Sequence, residues 1–320
     1  MPQNPAALAK LTLPRTSGIV SRKRAFRLLD DRLRRGVVWI SSPAGSGKTA
    51  LAASYVETRA LPWLWYRADG GDGDPATFFY YLGLAAKRAV PRLRTPLPLL
   101  TPEYLMGVPV FARRFFETLY RVLQPPFAIV MDDYQEIPAD SPMHEILSIG
   151  LSIVPEDVRV IVASRNPPPA EFARLLANGG FSRLGWEEVR LTARETGEIV
   201  RARDRRRVPN EVVSLLHRKT DGWVAGLVLL IESLKSSGLD RGMLGRLPSR
   251  EVYEYFSAEV FQKTDPTEQA FLLATSFLPS MTARTAGALT GVEAAGRILL
   301  GLNQRGFFTE RHVASEPTYL

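Results

Sequence analysis

Between residues 37 and 191 the apolar positions come in short dense runs separated by stretches of helical spacing. "VVWIS" (37–41), "WLWYRAD" (63–69), "PFAIVMDD" (126–133) and "VRVIVASR" (158–165) have strand length and are apolar on both faces, and "EEVRL" (187–191) reads as a fifth strand. Helical patterns fill the intervals: Lys48 to about Arg59, a segment opened by Asp74 and Pro75, residues 109–123, and "EILSIGLSIV" (145–154). Asp as N-cap with Pro at the first helical position is a helix-start signal. Strand and helix in turn, with strands buried on both sides, predict an α/β fold: a parallel sheet flanked by helices. Before it, "IVSRKRAFRLLDDRLRRG" (19–36) places Phe26, Leu29 and Leu33 at helical spacing, and Gly36 ends the run. Residues 1–18, with Pro2, Pro5, Pro14 and Gly18, read as a loose arm.

The alternation stops near residue 191. Thr192 and Glu195 form a capping-box pattern, and the chain stays helical to about Ser237. A Gly- and Pro-containing linker covers 238–249. Three further helical patterns, "SREVYEYFSAEVF", "DPTEQAFLLATSF" and "VEAAGRILLGLNQRGFF", and a short aromatic strand suggest a winged helix. The expected organisation is an arm over 1–18, an α/β domain over 19–191, a helical domain over 192–247 and a winged-helix domain over 248–320.

Composition narrows the chemistry. The 320 residues contain no Cys and three His, so disulfides and Cys-ligated metals are excluded. His144, His217 and His312 lie too far apart for metal-ligand spacing. No uncharged apolar run reaches membrane-span length, and the N-terminus lacks a signal-peptide core, so the cytoplasm is the expected compartment. The net charge of +8 suits either a nucleic-acid neighbour or an Arg-rich surface with an anionic ligand. "RARDRRR" (201–207) reads as solvated surface.

The densest candidate chemistry follows the first strand. Ser42-Pro43-Ala44-Gly45-Ser46-Gly47-Lys48-Thr49 matches the phosphate-loop pattern G-x-x-x-x-G-K-[ST] except at its first position, where Ser42 replaces Gly. Such a loop works by presenting backbone N–H groups to an anion at a helix N-terminus. The expected contacts run from Pro43 through Ala50, with Lys48 on the β- and γ-phosphates and the Thr49 hydroxyl on Mg²⁺. Asp132, at the end of "FAIVMD", is the matching Mg²⁺ acid. Asp133 is the candidate for orienting the attacking water. Arg165, at another strand end, is placed to sense the γ-phosphate. Asp74 reads as a helix cap, while Asp69 and Asp72 leave a metal loop conceivable. No N-K-x-D guanine-reading motif occurs.

The segments "WISSPAGSGKTALAASYV", "LWYRADGGDGDPATFFYYL", "FAIVMDDYQEI", "VRVIVASRNPPP" and "TDGWVAGLVLL" together resemble, in content and order, the MalT-like regulators. These belong to the STAND class of signalling NTPases and include large LuxR-family and SARP-like transcription regulators. The resemblance covers about residues 18–320. It implies a regulatory switch binding ATP or ADP with Mg²⁺, closed with ADP, and open and self-associating with ATP and an inducer. It also implies slow hydrolysis that resets the switch. By position it makes Val20 and Arg22 candidates for the adenine side, and Gly222 and Trp223 the helical domain's nucleotide motif. Relatives continue beyond "SEPTYL" into the wing and carry C-terminal repeats and often a DNA-binding domain. The chain is therefore expected to be a fragment whose winged helix is incomplete, whose inducer, small molecule or protein, is unspecified, and which meets DNA only through other regions. A metabolic P-loop kinase, a mechanical ATPase and a non-hydrolysing nucleotide-sensing adaptor are the alternatives.

Overall fold

The computed structural model describes residues 9–91, 96–123, 125–204, 208–235, 261–262, 264–278, 280–304, 311–312 and 317–319. They fall into two compact units, Met1–Ser41 with Lys48–Val189, and Ser42–Gly47 with Arg190–Leu320. Six residues of the phosphate loop thus group with the second unit, although the chain carries them from a strand into a helix of the first.

The first unit is built on five parallel strands: β1 (Val37–Ser41), β2 (Trp63–Arg67), β3 (Phe127–Asp132), β4 (Val158–Ser164) and β5 (Phe181–Leu184), in the order β2-β3-β4-β1-β5. Successive side chains of a strand point to opposite faces. Val37 and Trp39 accordingly join one core, with Tyr66, Phe78, Ile129 and Val162. Val38 and Ile40 join the other, with Phe26, Leu51, Trp65, Val130 and Ile161. Burial on both faces explains why these strands read as continuous apolar runs. Trp39 is fully buried, edge-on to Tyr134 and tilted against Phe172, and its indole donates to the Asn166 carbonyl.

Four expected strands form where predicted; the fifth does not. Trp186–Val189 is a short helical turn, and the fifth strand is Phe181–Leu184. The Glu188 carboxylate accepts from the Gly185 N–H and from Arg32. Arg24 and Arg22 donate to the Glu188 and Val189 carbonyls. Cations at the start of the helix Lys23–Arg32, Arg22 as its N-cap and Arg24, therefore take carbonyls that a strand ladder would use.

The arm is not loose at its described end. Lys10 and Leu11 are buried, and the Lys10 ammonium contacts both Asp72 oxygens at 2.7 and 2.8 Å and Asp69 at 2.7 Å. Tyr66 donates to Asp72 at 2.6 Å. The acidic loop therefore holds an ammonium in place of the conceivable metal. Asp74 caps the helix Pro75–Ala89 through Thr77 N–H, as expected.

In the second unit, helices Ala193–Arg203, Asn210–Thr220 and Val224–Lys235 follow one another, the first opened by the Thr192–Glu195 capping box. Arg201 and Arg203 are exposed; residues 205–207 lie outside the described residues. Helices Pro266–Thr275, Ala283–Thr290 and Ala295–Gln304 pack beside a small antiparallel sheet of order β6-β8-β7, formed by Met281–Thr282, Thr318–Tyr319 and Arg311–His312. This is a winged-helix arrangement. The middle helix was not read from sequence, and the helix expected over 249–261 and the linker before it lie almost wholly outside the described residues. Thr318–Tyr319, inside "SEPTYL", is the central strand of this sheet.

Candidate functional site

The loop Ser42–Gly47 owes its shape to two glycines. Gly45 and Gly47 have φ of +70° and +86°, where a side chain is strained. Ser42 is not among the positive-φ residues, so the position where the strict pattern asks for Gly requires none here. Its hydroxyl meets that of Ser46 at 2.7 Å, a bond across the loop that glycine lacks. Ser46 N–H also closes a turn on the Pro43 carbonyl at 3.3 Å.

Within the same unit the loop is held from the helical side. The Trp223 indole N–H donates to the Ala44 carbonyl at 2.8 Å, and the Ala225 N–H to the Gly45 carbonyl at 2.9 Å. A Cβ on Gly47 would stand 3.3 Å from Val224. Gly222, at φ +77°, follows Asp221 in the left-handed region, and the two end the helix Asn210–Thr220. A Cβ on Gly222 would lie 2.5 Å from the Leu191 carbonyl oxygen, so only glycine fits. The pair Gly222 and Trp223 therefore acts as a helix stop and as a clamp on the loop.

The first unit supplies the charged groups. Lys48 opens the helix Lys48–Thr58 and is 7% exposed. Burial, and then the nearby Arg165 charge, lower its pKa to about 8, against the opposing pull of Asp132 and Asp133. Thr49 Oγ1 donates to Asp132 Oδ1 at 3.0 Å. Asp132 is 1% exposed, and burial, followed by the charge of Asp133, raises its pKa to about 6. The sheet order explains the meeting. The helix after β1 packs over β4 and β3, with Leu51 and Ala52 in one core with Val130 and Ile161, which brings Thr49 to the end of β3. A hydroxyl and a buried carboxylate in contact, beside a buried ammonium, form a donor set that suits a hydrated magnesium ion and its phosphate oxygens.

Asp133 is placed differently from its neighbour. Its backbone is left-handed, at φ +52°. Its Oδ2 accepts from Arg67 Nε at 2.7 Å and its Oδ1 from Gln135 Nε2 at 3.0 Å. Gln135 in turn accepts from the Arg165 backbone N–H at 3.0 Å. Both carboxylate oxygens are thus engaged, which opposes proton abstraction in this arrangement. Arg67 and Gln135 were not singled out from sequence; the only available signal was their place at the ends of β2 and β3.

The remaining candidates are dispersed. Arg22 is buried and donates to the Val189 carbonyl, and Val20 is half-buried before the same helix. His144 is structural: its Nε2 lies 3.0 Å from the Pro138 carbonyl and so carries the proton, while Nδ1 accepts from the Tyr134 hydroxyl at 2.8 Å. Among the described residues no group of three His, Asp or Glu side chains could by itself hold a metal, and no helix is long and apolar enough to cross a membrane.

Residues 257–320 match the family model described as the MalT winged helix domain. The HTH-type transcriptional regulator MalT of Serratia proteamaculans is 27% identical over 310 residues, which cover 95% of this chain and 34% of that protein. Its namesake in Vibrio cholerae is 26% identical over 318 residues, 94% of this chain and 34% of that protein. The chain spans about a third of the length of the curated relatives it matches. Among solved structures, the Aeropyrum pernix ORC1 protein in complex with DNA is 16% identical at a TM-score of 0.44, covering 95% of this chain and 89% of that one. The Thermotoga maritima RuvB Holliday junction branch migration motor is 14% identical at 0.43, with coverages of 92% and 90%.

Proposed function

We propose that this chain, a relative of the MalT-type transcriptional regulators, is a nucleotide-binding regulatory module that takes ADP or ATP with Mg²⁺ and hydrolyses ATP slowly. The carrying observation is the contact of Thr49 with the buried Asp132, beside the buried Lys48 at the exit of a loop that matches the phosphate-cradle pattern at all but its first position. In this reading the amides from Gly45 to Thr49 and the Lys48 ammonium bind the polyphosphate. Thr49 and Asp132 hold the metal. A bound Mg²⁺ would neutralise charge on the β- and γ-phosphate oxygens.

The chain's own groups account for slow turnover. Asp133 is the carboxylate best placed after Asp132 to orient a water, yet Arg67 and Gln135 occupy both its oxygens. A nucleotide that persists before hydrolysis suits a switch, because ligand-dependent populations, and not product, are then the output. The domain reading is a nucleotide-binding domain over 19–191, a helical domain over 192–247 and a winged helix over 248–320. It is supported by the division of the described residues at Val189 and by the family match over 257–320. Inducer recognition, self-association and DNA binding belong to this reading only through the longer protein.

Binding of ADP and ATP to the purified chain tests the assignment. Lys48→Ala is expected to weaken both nucleotides by at least tenfold, and Asp132→Ala to remove the Mg²⁺-dependent part. Undiminished affinity in the Lys48 variant would falsify the reading. A non-hydrolysing sensor is the second reading, favoured by the engaged state of Asp133; phosphate release that never exceeds the Asp133→Ala background selects it.

A further inference from the structure

We propose that Trp223 is a positioning residue for the phosphate loop: it serves the polyphosphate of the ligand by holding the loop's backbone from outside, and makes no contact with the base. The inference rests on reading Ser42–Thr49 as a phosphate cradle and departs from the expectation that Trp223 itself touches nucleotide.

Peptide planarity fixes the direction of two loop amides. In a trans peptide the C=O and the following N–H point in opposite directions. The Ala44 oxygen is fixed toward the Trp223 indole, and the Gly45 oxygen toward the Ala225 N–H. The N–H groups of Gly45 and Ser46 therefore face away from the helix Val224–Lys235. The Gly45 N–H is so presented to an anion, while the Ser46 N–H closes the turn on the Pro43 carbonyl at 3.3 Å and the positive φ at Gly45 keeps that turn concave. The Ala44 side chain adds a third hold, because it belongs to the apolar cluster with Phe271, Leu299 and Leu302.

The indole is itself seated by geometry only glycine allows. A Cβ on Gly226 would lie 2.4 Å from the Trp223 ring, so the ring occupies the space that any other residue would fill. On the other side Gly222 presses on Leu191, whose N–H donates to the Gly222 carbonyl at 3.0 Å. Asp221 is tied to Arg190 at 2.8 Å. Trp223 is thus fixed from both sides, and its N–H is aimed at one loop carbonyl.

The test separates phosphate from base. Binding of ADP and of inorganic pyrophosphate is measured on the whole chain for wild type, Trp223→Phe, Gly226→Ala and Lys48→Ala. Urea unfolding of each variant is followed in parallel. Phenylalanine keeps most of the ring and removes the donor. Loss of one hydrogen bond to the loop is expected to weaken ADP and pyrophosphate by the same factor, about fivefold, in a variant that the unfolding curve shows to be fully folded under the assay conditions. Gly226→Ala, which forces the ring to move, is expected to do the same and stands in if Trp223→Phe does not fold. A loss for ADP alone would assign Trp223 to the base and overturn the proposal, as would no loss for either ligand while Lys48→Ala weakens both. If Lys48→Ala weakens neither, the cradle reading itself has failed, and this inference with it.

Discussion

The pH dependence of ADP binding offers a sharp test of the buried lysine. In the free protein Lys48 titrates at about 8, because burial and Arg165 oppose its charge. The drop from the ordinary 10.5 corresponds to about 3 kcal/mol against the ammonium form. A polyphosphate beside it reverses that balance and returns the pKa to the ordinary range or above. Binding therefore takes up no proton from this group below pH 7 and nearly one at pH 9. The dissociation constant is expected to be flat up to about pH 7.5 and then to rise, reaching about 30-fold at pH 9.5. ADP's own phosphate, with a pKa near 6, is fully ionised over this range and adds nothing. Calorimetry in two buffers of different ionisation heat counts the proton directly, and a Lys48→Arg variant, which cannot lose its charge, should give a flat profile. Wild-type affinity at pH 9.5 within twofold of that at pH 7, with no proton uptake, would refute the reasoning. The same shift has a stability consequence of fixed sign. Between pH 8 and 10.5 the unfolded chain binds more protons at this residue than the folded one, so its contribution makes the ligand-free protein more stable as pH rises.

Three further outcomes are expected. Arg67→Gln frees Asp133 from its ion pair and should raise phosphate release severalfold with unchanged ADP affinity; a fall in turnover would show that the arginine assists. Asp132, raised to about 6, must be ionised to hold Mg²⁺, so the Mg²⁺-dependent gain in ADP affinity should shrink about tenfold from pH 7 to pH 5. An Asp132→Asn variant run alongside subtracts the nucleotide's own titration. Lys10→Met leaves the fully buried Asp72 without its cation and should destabilise the first unit by roughly 3 kcal/mol in urea unfolding, where a loose arm would register no change.

The sequence by itself determined most of the elements and the candidate motifs along the chain. Four strands, the helix after the phosphate loop, the caps at Asp74 and Thr192 and most of the helical units were legible, because apolar periodicity and capping are relations between residues a few positions apart. The expectation of phosphate and magnesium at Lys48, Thr49 and Asp132 was legible for the same reason: a motif is local. Only the tertiary structure decided which groups are already engaged. "EEVRL" lost its strand to three arginines more than 150 positions away. Lys10 became an anchor through acids some 60 positions on. Asp133 is occupied by Arg67 across two strand ends, and Trp223 reaches a carbonyl 179 positions earlier. A hydrogen bond or ion pair between distant segments leaves no periodic trace in the chain, because its partners are matched by the packing of whole elements and not by their spacing in sequence.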